Sequence, residues 1–213
     1  MRILLIEDHA IFREALRELL HAKDPSFEVV AEAATAHDAC QAAEEHHPDV
    51  TIMDLVLRGA SGISATRELC RRQKGSRVLI LTAIAEPSFA VEAFAAGARG
   101  YALKEQSSND IVTAVRTVAR GDRYLPPQFD PALIEDSEKT KQSPDGLMGQ
   151  LSAREREIFD LIVAGHRNQK IATELFISVK TVETHRARIN RKLGVHSSVE
   201  LIRFAALRGR LSA

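Results

Sequence analysis

Val50-Thr51-Ile52-Met53-Asp54 is an apolar, β-prone run that ends on a carboxylate. The residues that follow, Leu55 to Gly62, contain two glycines and do not readily continue a strand. A short continuous apolar run reads as a strand buried in a parallel sheet. In open α/β sheets, ligands sit at the carboxyl ends of the strands. Asp54 is therefore placed at the edge where a site would form, although on its own it is equally an acidic cap.

The same pattern repeats on both sides. Arg2-Ile3-Leu4-Leu5-Ile6 is a buried strand closed by Glu7-Asp8, and Phe27 to Ala33 is a second, centred on Val29 and Val30. Val78-Leu79-Ile80-Leu81-Thr82 and Arg99 to Leu103, ending at Lys104, complete a set of five. Helical spacing fills each interval. Phe12, Leu16, Leu19 and Leu20 share a face, Ala36 to His46 is Ala-rich and stopped by Pro48, and Ile63, Thr66, Leu69 and Cys70 mark a third helix. Pro87 opens a fourth that Gly97 caps, and Ile111, Val112, Val115 and Val118 face one way on a fifth. Five strand–helix alternations predict an α/β, doubly wound, five-stranded parallel sheet over residues 1–121.

Residues 122–149 differ. They hold Pro126, Pro127, Pro131 and Pro144, a polar run from Glu135 to Asp145, and Leu133-Ile134 as the only interior apolar pair. They read as a linker, partly extended, with room for one short helix. Residues 150–213 are helical throughout. Ser152-Ala-Arg-Glu155 is a capping box, Gly165 breaks the chain, Asn168 and Ser178 are candidate caps, and Ser197 or Ser198 starts a last helix. Four helices in about 60 residues make a thin core, so support from another domain, a second copy or DNA is expected.

The net charge of zero hides a division: residues 1–121 carry net −3, 122–149 net −3 and 150–213 net +6. A basic end behind an acidic one points to nucleic acid as a partner for the basic end. Cys40 and Cys70 form no CxxC, which disfavours a disulfide scaffold or zinc site. The apolar runs fall short of a membrane span, and charge arrives too early for a signal peptide. A cytoplasmic protein that does not enter membranes is expected.

Laid side by side, the strand ends present Glu7, Asp8, Asp54, Thr82 and Lys104 at one edge. Crowded carboxylates repel unless a cation lies among them, and oxygen-only ligands favour Mg2+ over zinc. A carboxylate can act as a nucleophile toward phosphorus, and a hydroxyl, an ammonium and a divalent cation neutralise phosphoryl oxygens.

These residues carry a resemblance. Glu7-Asp8, Ile52-Met53-Asp54, Leu81-Thr82-Ala83 and Tyr101-Ala102-Leu103-Lys104 resemble the receiver domain of bacterial two-component response regulators. The resemblance implies flavodoxin-like strand order 2-1-3-4-5. It also implies Asp54 as phosphoacceptor for a sensor histidine kinase. Asp8, Asp54 and the carbonyl of Val56 become Mg2+ ligands, with Glu7 acting through water. Thr82 and Tyr101 become a switch pair and Lys104 the resident cation. The chain departs from the family at Arg58, where Pro is usual, and at Glu105, where Pro or Asp is frequent. The resemblance places Val56 and Ile84 at positions whose size and polarity tune access of hydrolytic water in that family. Both are apolar, so a long-lived phosphoryl group is expected.

On the helix Val179–Leu193, with Val182 taken as zero, Ile189 and Leu193 fall within about 20° of it and form a core stripe. Lys180, Thr184, Ala187 and Arg191 fall opposite, flanked by Glu183 and Arg188. That face is cationic without bulk at its middle, as insertion into a groove requires. Leu151 to Ile158, Asn168 to Ala172, Ser178 to His185 and Lys192-Leu-Gly194 closely resemble the LuxR-type helix-turn-helix, and with the receiver they define the NarL/FixJ class. The resemblance implies that Glu183, Thr184 and Ala187 face base edges. Lys180, Thr181, Arg188, Arg191 and Lys192 then hold phosphates, and Ser198–Leu207 is the dimer surface on DNA. His185 reads as a packing or phosphate residue.

The expected function is a response regulator, not an enzyme, in which phosphorylation of Asp54 controls homodimerisation and sequence-specific binding to double-stranded DNA. The receiver covers the recognition helix in some relatives, so a covered helix is one expectation for the unphosphorylated state. The alternative is a phosphorylation-independent LuxR-type regulator. A quorum-sensing regulator needs an apolar ligand pocket, and a dehalogenase-type phosphohydrolase needs Asp where Val56 stands.

Overall fold

The computed structural model describes residues 1–58, 60–132, 135, 146–195 and 197–206. Gly59, Leu133-Ile134, 136–145 and Leu207 lie outside the described residues, and with them most of the polar run and the expected end of the last helix.

Strands β1 (Arg2–Ile6), β2 (Glu28–Ala33), β3 (Val50–Met53), β6 (Val78–Thr82) and β7 (Gly100–Leu103) form one parallel sheet in the order β2-β1-β3-β6-β7. This is the doubly wound order expected. The intervening β4 (Val56–Leu57) and β5 (Ala60–Ser61) make a small antiparallel hairpin after Asp54. Two-residue strands lie below the length at which alternation can be read from sequence.

Helices α1 (Ala10–Lys23) and α5 (Ser108–Ala119) cover one face of the sheet, and α2 (Ala36–His46), α3 (Gly62–Arg72) and α4 (Pro87–Ala96) cover the other. The strand side chains divide with period two, as a pleated sheet requires. Ile3, Leu5, Ile52, Leu79, Leu81 and Ala102 face α1 and α5, whereas Leu4, Ile6, Met53, Ile80, Tyr101 and Leu103 face the opposite layer. Helix starts are fixed locally. Thr35, Ser61 and Ser107 accept from the amides of Asp38, Ile63 and Asp110, and Pro87 opens α4.

Beyond α5 the chain runs alongside the edge strand. The Tyr101 amide donates to the Tyr124 carbonyl at 3.0 Å, and the Tyr124 amide to Arg99 at 3.1 Å. Phe129 then stacks on Tyr101 with centroids 5.9 Å apart. The start of the segment read as a linker is therefore packed on the sheet domain.

The second domain comprises a 3-10 turn (Gly146–Gln150), α6 (Ala153–Val163), α7 (Asn168–Glu174), α8 (Val179–Leu193) and α9 (Ser198–Ala206). The Ser152–Glu155 capping box and the Ser178 cap form as the sequence implies. Asn168 does not cap. It is the first helical residue of α7, Arg167 holds the cap position, and the Asn168 amide oxygen instead accepts from Arg186 of α8 at 3.0 Å. A tertiary guanidinium partner has displaced the local option.

The thin core receives its support from α4. Phe89 and Phe204 are buried against each other with centroids 5.8 Å apart, and Glu92 Oε1 accepts from the Leu147 amide at 2.7 Å. Arg203 pairs with Glu86 at 2.8 Å. Gly194, the left-handed cap of α8 at φ 65°, lies so close to α4 that a β-carbon there would stand 3.2 Å from Ser88 Cβ. The hydrophobic core on the α2–α4 side consequently runs without interruption into the second domain.

Candidate phosphoacceptor pocket and recognition helix

Parallel pairing carries the strand ends to one edge, and the ladder continues past them. The amides of Glu7, Asp54 and Lys104 donate to the carbonyls of Ala33, Ile6 and Thr82, at 3.0, 2.8 and 2.8 Å. Each functional residue thus leaves its strand on a fixed backbone bond. The Lys104 ammonium bridges Glu7 Oε2 at 2.6 Å and Asp54 Oδ2 at 2.9 Å, and lies 4.3 Å from the centre of the Phe12 ring.

Burial alone would push all three groups toward neutrality. For Glu7 the Lys104 hydrogen bond and the His9 amide outweigh burial, and the carboxyl falls below its usual range. For Asp54, burial prevails over the Lys104 bond and the nearby Glu7 charge adds to it, so its carboxyl rises. Lys104 is desolvated too, but its two carboxylate partners hold it above the usual ammonium value.

Glu7, Asp8, His9 and Asp54 bring ligand atoms within 4.8 Å of one another. Asp8 Oδ1 is buried and accepts no hydrogen bond, although His9 Nδ1 stands 2.9 Å away. A buried carboxylate oxygen that accepts no hydrogen bond, with only the His9 ring nitrogen near it in an otherwise oxygen-rich set, suits a hard divalent cation. His9 is the member that strand-end reasoning left out, since it follows the acidic pair by one residue and lies outside the strand. Val56 begins the hairpin, 44% exposed, with its amide 3.4 Å from Asp54 Oδ1. Arg58, the departure from the family pattern, reaches back to Asp8 Oδ2 at 3.6 Å from a largely exposed position.

Thr82 is buried and its hydroxyl accepts from the Ile84 amide at 3.2 Å. Tyr101 is fully buried and donates its phenol proton to the Ile84 carbonyl at 2.7 Å. Thr82 and Tyr101, the expected switch pair, therefore meet on one residue, Ile84, in the loop leading into α4. Gly62 went unassigned in the sequence and is structurally decisive. A β-carbon there would lie 2.0 Å from the Asp54 carbonyl oxygen, and the Gly62 amide donates to Leu55 at 2.8 Å.

On α8, Val182, Ile189 and Leu193 are buried, and Lys180, Glu183, Thr184, Ala187, Arg188 and Arg191 lie at least partly open on the other side. The α7–α8 turn uses Phe176 at φ 54°, with its ring 95% exposed. Three residues of the expected DNA set are engaged internally, among them Thr184, whose hydroxyl donates to the Lys180 carbonyl at 2.9 Å. The Thr181 hydroxyl shares a 2.8 Å bond with Ser178, and Lys192 binds the buried Glu155 at 2.6 Å. The recognition face is not covered by the sheet domain. His185 is half-buried, as a packing residue would be.

Residues 3–116 match the response regulator receiver domain, and residues 149–205 match the bacterial regulatory proteins of the luxR family. The chain belongs to the two-component response regulators with a LuxR-type DNA-binding domain. It is similar to the oxygen regulatory protein NreC of Staphylococcus carnosus, 37% identical over 210 residues and 96% of each chain. A LuxR-family two-component response regulator from Aurantimonas is 37% identical, with a TM-score of 0.57 over 65% of this chain and 95% of that one. Salmonella enterica RcsB, in a structure bound to a promoter, shares the fold at 21% identity, with a TM-score of 0.78 over 98% of both chains. This response regulator is thus a DNA-binding transcription factor rather than an enzyme. Among its described residues, no helix is long and apolar enough to cross a membrane.

Proposed function

We propose that this response regulator accepts a phosphoryl group on Asp54 from a sensor histidine kinase and uses it to control dimerisation and sequence-specific DNA binding in the cytoplasm. The single observation carrying the reading is Lys104, which holds Asp54 and Glu7 together at the carboxyl edge of the sheet beside an unsatisfied Asp8 oxygen. An Asp54 carboxylate oxygen forms the new P–O bond as the P–N bond of the donor phosphohistidine breaks, and the departing imidazole keeps the electron pair and takes a proton from water. Lys104 and the Thr82 hydroxyl face the phosphoryl oxygens. Asp8, Asp54 and the Val56 carbonyl, with Glu7 acting through water, would hold Mg2+, which would supply further neutralisation of phosphoryl charge. Thr82 pulls on Ile84, which Tyr101 also holds, and so passes occupancy to α4. At the other end Glu183, Thr184 and Ala187 read base edges, and Lys180, Arg188 and Arg191 hold phosphates. Thr181 and Lys192 serve as further phosphate contacts once freed from Ser178 and Glu155.

Incubation with acetyl phosphate and Mg2+ tests the reading. Intact mass should rise by one phosphoryl group in the wild type and stay unchanged in Asp54→Asn, and phosphorylation should tighten binding to a duplex selected from random sequence. Absence of uptake by the wild type would leave a phosphorylation-independent LuxR-type regulator.

A further inference from the structure

We propose that α4 is a seat for the DNA-binding domain, one that holds the recognition helix outward and favours DNA binding. Four contacts build the joint from different chemistry. Phe89 and Phe204 bury an aromatic pair, and Glu92 accepts the Leu147 amide inside the interface. Arg203 pairs with Glu86 at its rim. Gly194, the end cap of the recognition helix itself, abuts Ser88, where a β-carbon would stand 3.2 Å from Ser88 Cβ, tighter than ordinary contact. The last contact fixes the direction of α8, because the helix terminus rests directly on α4.

A covering contact would hide the groups that meet DNA. Here the joint is closed, and Lys180, Glu183, Thr184, Ala187, Arg188 and Arg191 all keep access to solvent. The outer stripe of α9, with Val199 at 67% and Ile202 at 39% exposure, is open as well. The closed joint therefore presents both surfaces at once. A domain held in one orientation loses less freedom on docking than one swinging on a linker, and the difference appears as affinity. The seat also lies next to the switch, since only residues 83–86 separate Thr82 from α4, and Ile84 among them binds both Thr82 and Tyr101.

The inference rests on the DNA-binding assignment and not on phosphorylation of Asp54. Full-length protein is titrated against a fluorescent duplex selected by the wild-type chain, at fixed salt. Ser88→Leu wedges the joint and should weaken binding about tenfold. Glu86→Arg adds positive charge, which by itself would draw DNA closer. Loss of the rim pair should instead weaken binding about two- to fivefold, and Glu86→Arg combined with Arg203→Glu should restore it. Hydrogen exchange at the Leu147 amide should rise in Ser88→Leu while the melting of each domain is retained. Tighter binding by the wedge variant would make the joint a lid and overturn the inference, as would unchanged binding or failure of the charge swap to restore affinity. Failure of Asp54 phosphorylation registers only in the acetyl phosphate experiment and leaves these results unaffected.

Discussion

The proposed phosphoacceptor pocket and the proposed recognition helix assemble their chemistry in opposite ways. The pocket takes Glu7 and Asp8, Asp54, Thr82 and Lys104 from the ends of four strands, buries most of them and binds them to one another. The recognition face takes its open groups from one fifteen-residue helix, where they point to solvent and await a partner. In the pocket Lys104 ties Glu7 to Asp54, and the acidic groups lie within 4.8 Å of one another, so a single fault spreads. On the helix the groups are nearly independent, and faults should remain local and roughly additive.

The hardest blow to the pocket comes from a residue with no chemistry. Gly62→Ala places a β-carbon 2.0 Å from the Asp54 carbonyl oxygen, backbone against backbone, where no rotamer gives relief. It should destabilise the receiver by about 3 kcal/mol, as overpacking does, and slow phosphoryl uptake. Urea denaturation and the rate of acetyl phosphate labelling measure the two effects. Unaltered stability would show that the loop after Asp54 yields freely, and would weaken the contrast between the two regions.

Glu155 sharpens the contrast from within the DNA-binding domain, since it is a group there that behaves like a pocket residue. Burial would raise its pKa, but the Lys192 hydrogen bond and the Ser152 amide and hydroxyl hold it down to about 2, from an ordinary 4.5. A depressed carboxyl stabilises the fold fully above its unfolded value and loses that contribution as pH falls toward the folded one. Glu155→Gln should therefore lower the urea midpoint at pH 7, at a cost of about 1–2 kcal/mol. The gap from wild type should close as pH falls from about 4.5 toward about 2. A gap independent of pH would mean that shape and not charge holds α6 to α8.

The smallest and most local effects belong on the open face. Arg191→Ala should weaken all duplexes about equally and reduce the salt slope by about one. Glu183→Ala should change which base is preferred at one position, by about 1–3 kcal/mol. Site selection with each variant distinguishes them. The reverse pattern would exchange the two roles.

Much of this architecture is legible in the residues alone. Continuous apolar runs locate every strand of the main sheet and period-3.6 patterns every helix that flanks it, because most of the strands are buried on both faces and the helices on one. The capping box at Ser152 and the caps at Ser178 and Gly97 are equally readable, being contacts within a few residues. Where a distant partner intervenes, local reasoning fails. Asn168 yields its cap role to a bond from Arg186, Lys192 is drawn to Glu155, and Tyr124 and Phe129 are drawn out of an apparent linker onto the edge strand.

The sequence by itself therefore determined the elements, their order and the set of groups at the sheet edge, since backbone periodicity and chain direction place those without reference to anything far away. Tertiary structure alone decided which carboxylates Lys104 joins, why residue 62 must be glycine, and that α4 receives the end of the recognition helix at Gly194. Most of those outcomes depend on distances between segments tens of residues apart, and only a packed core sets such distances.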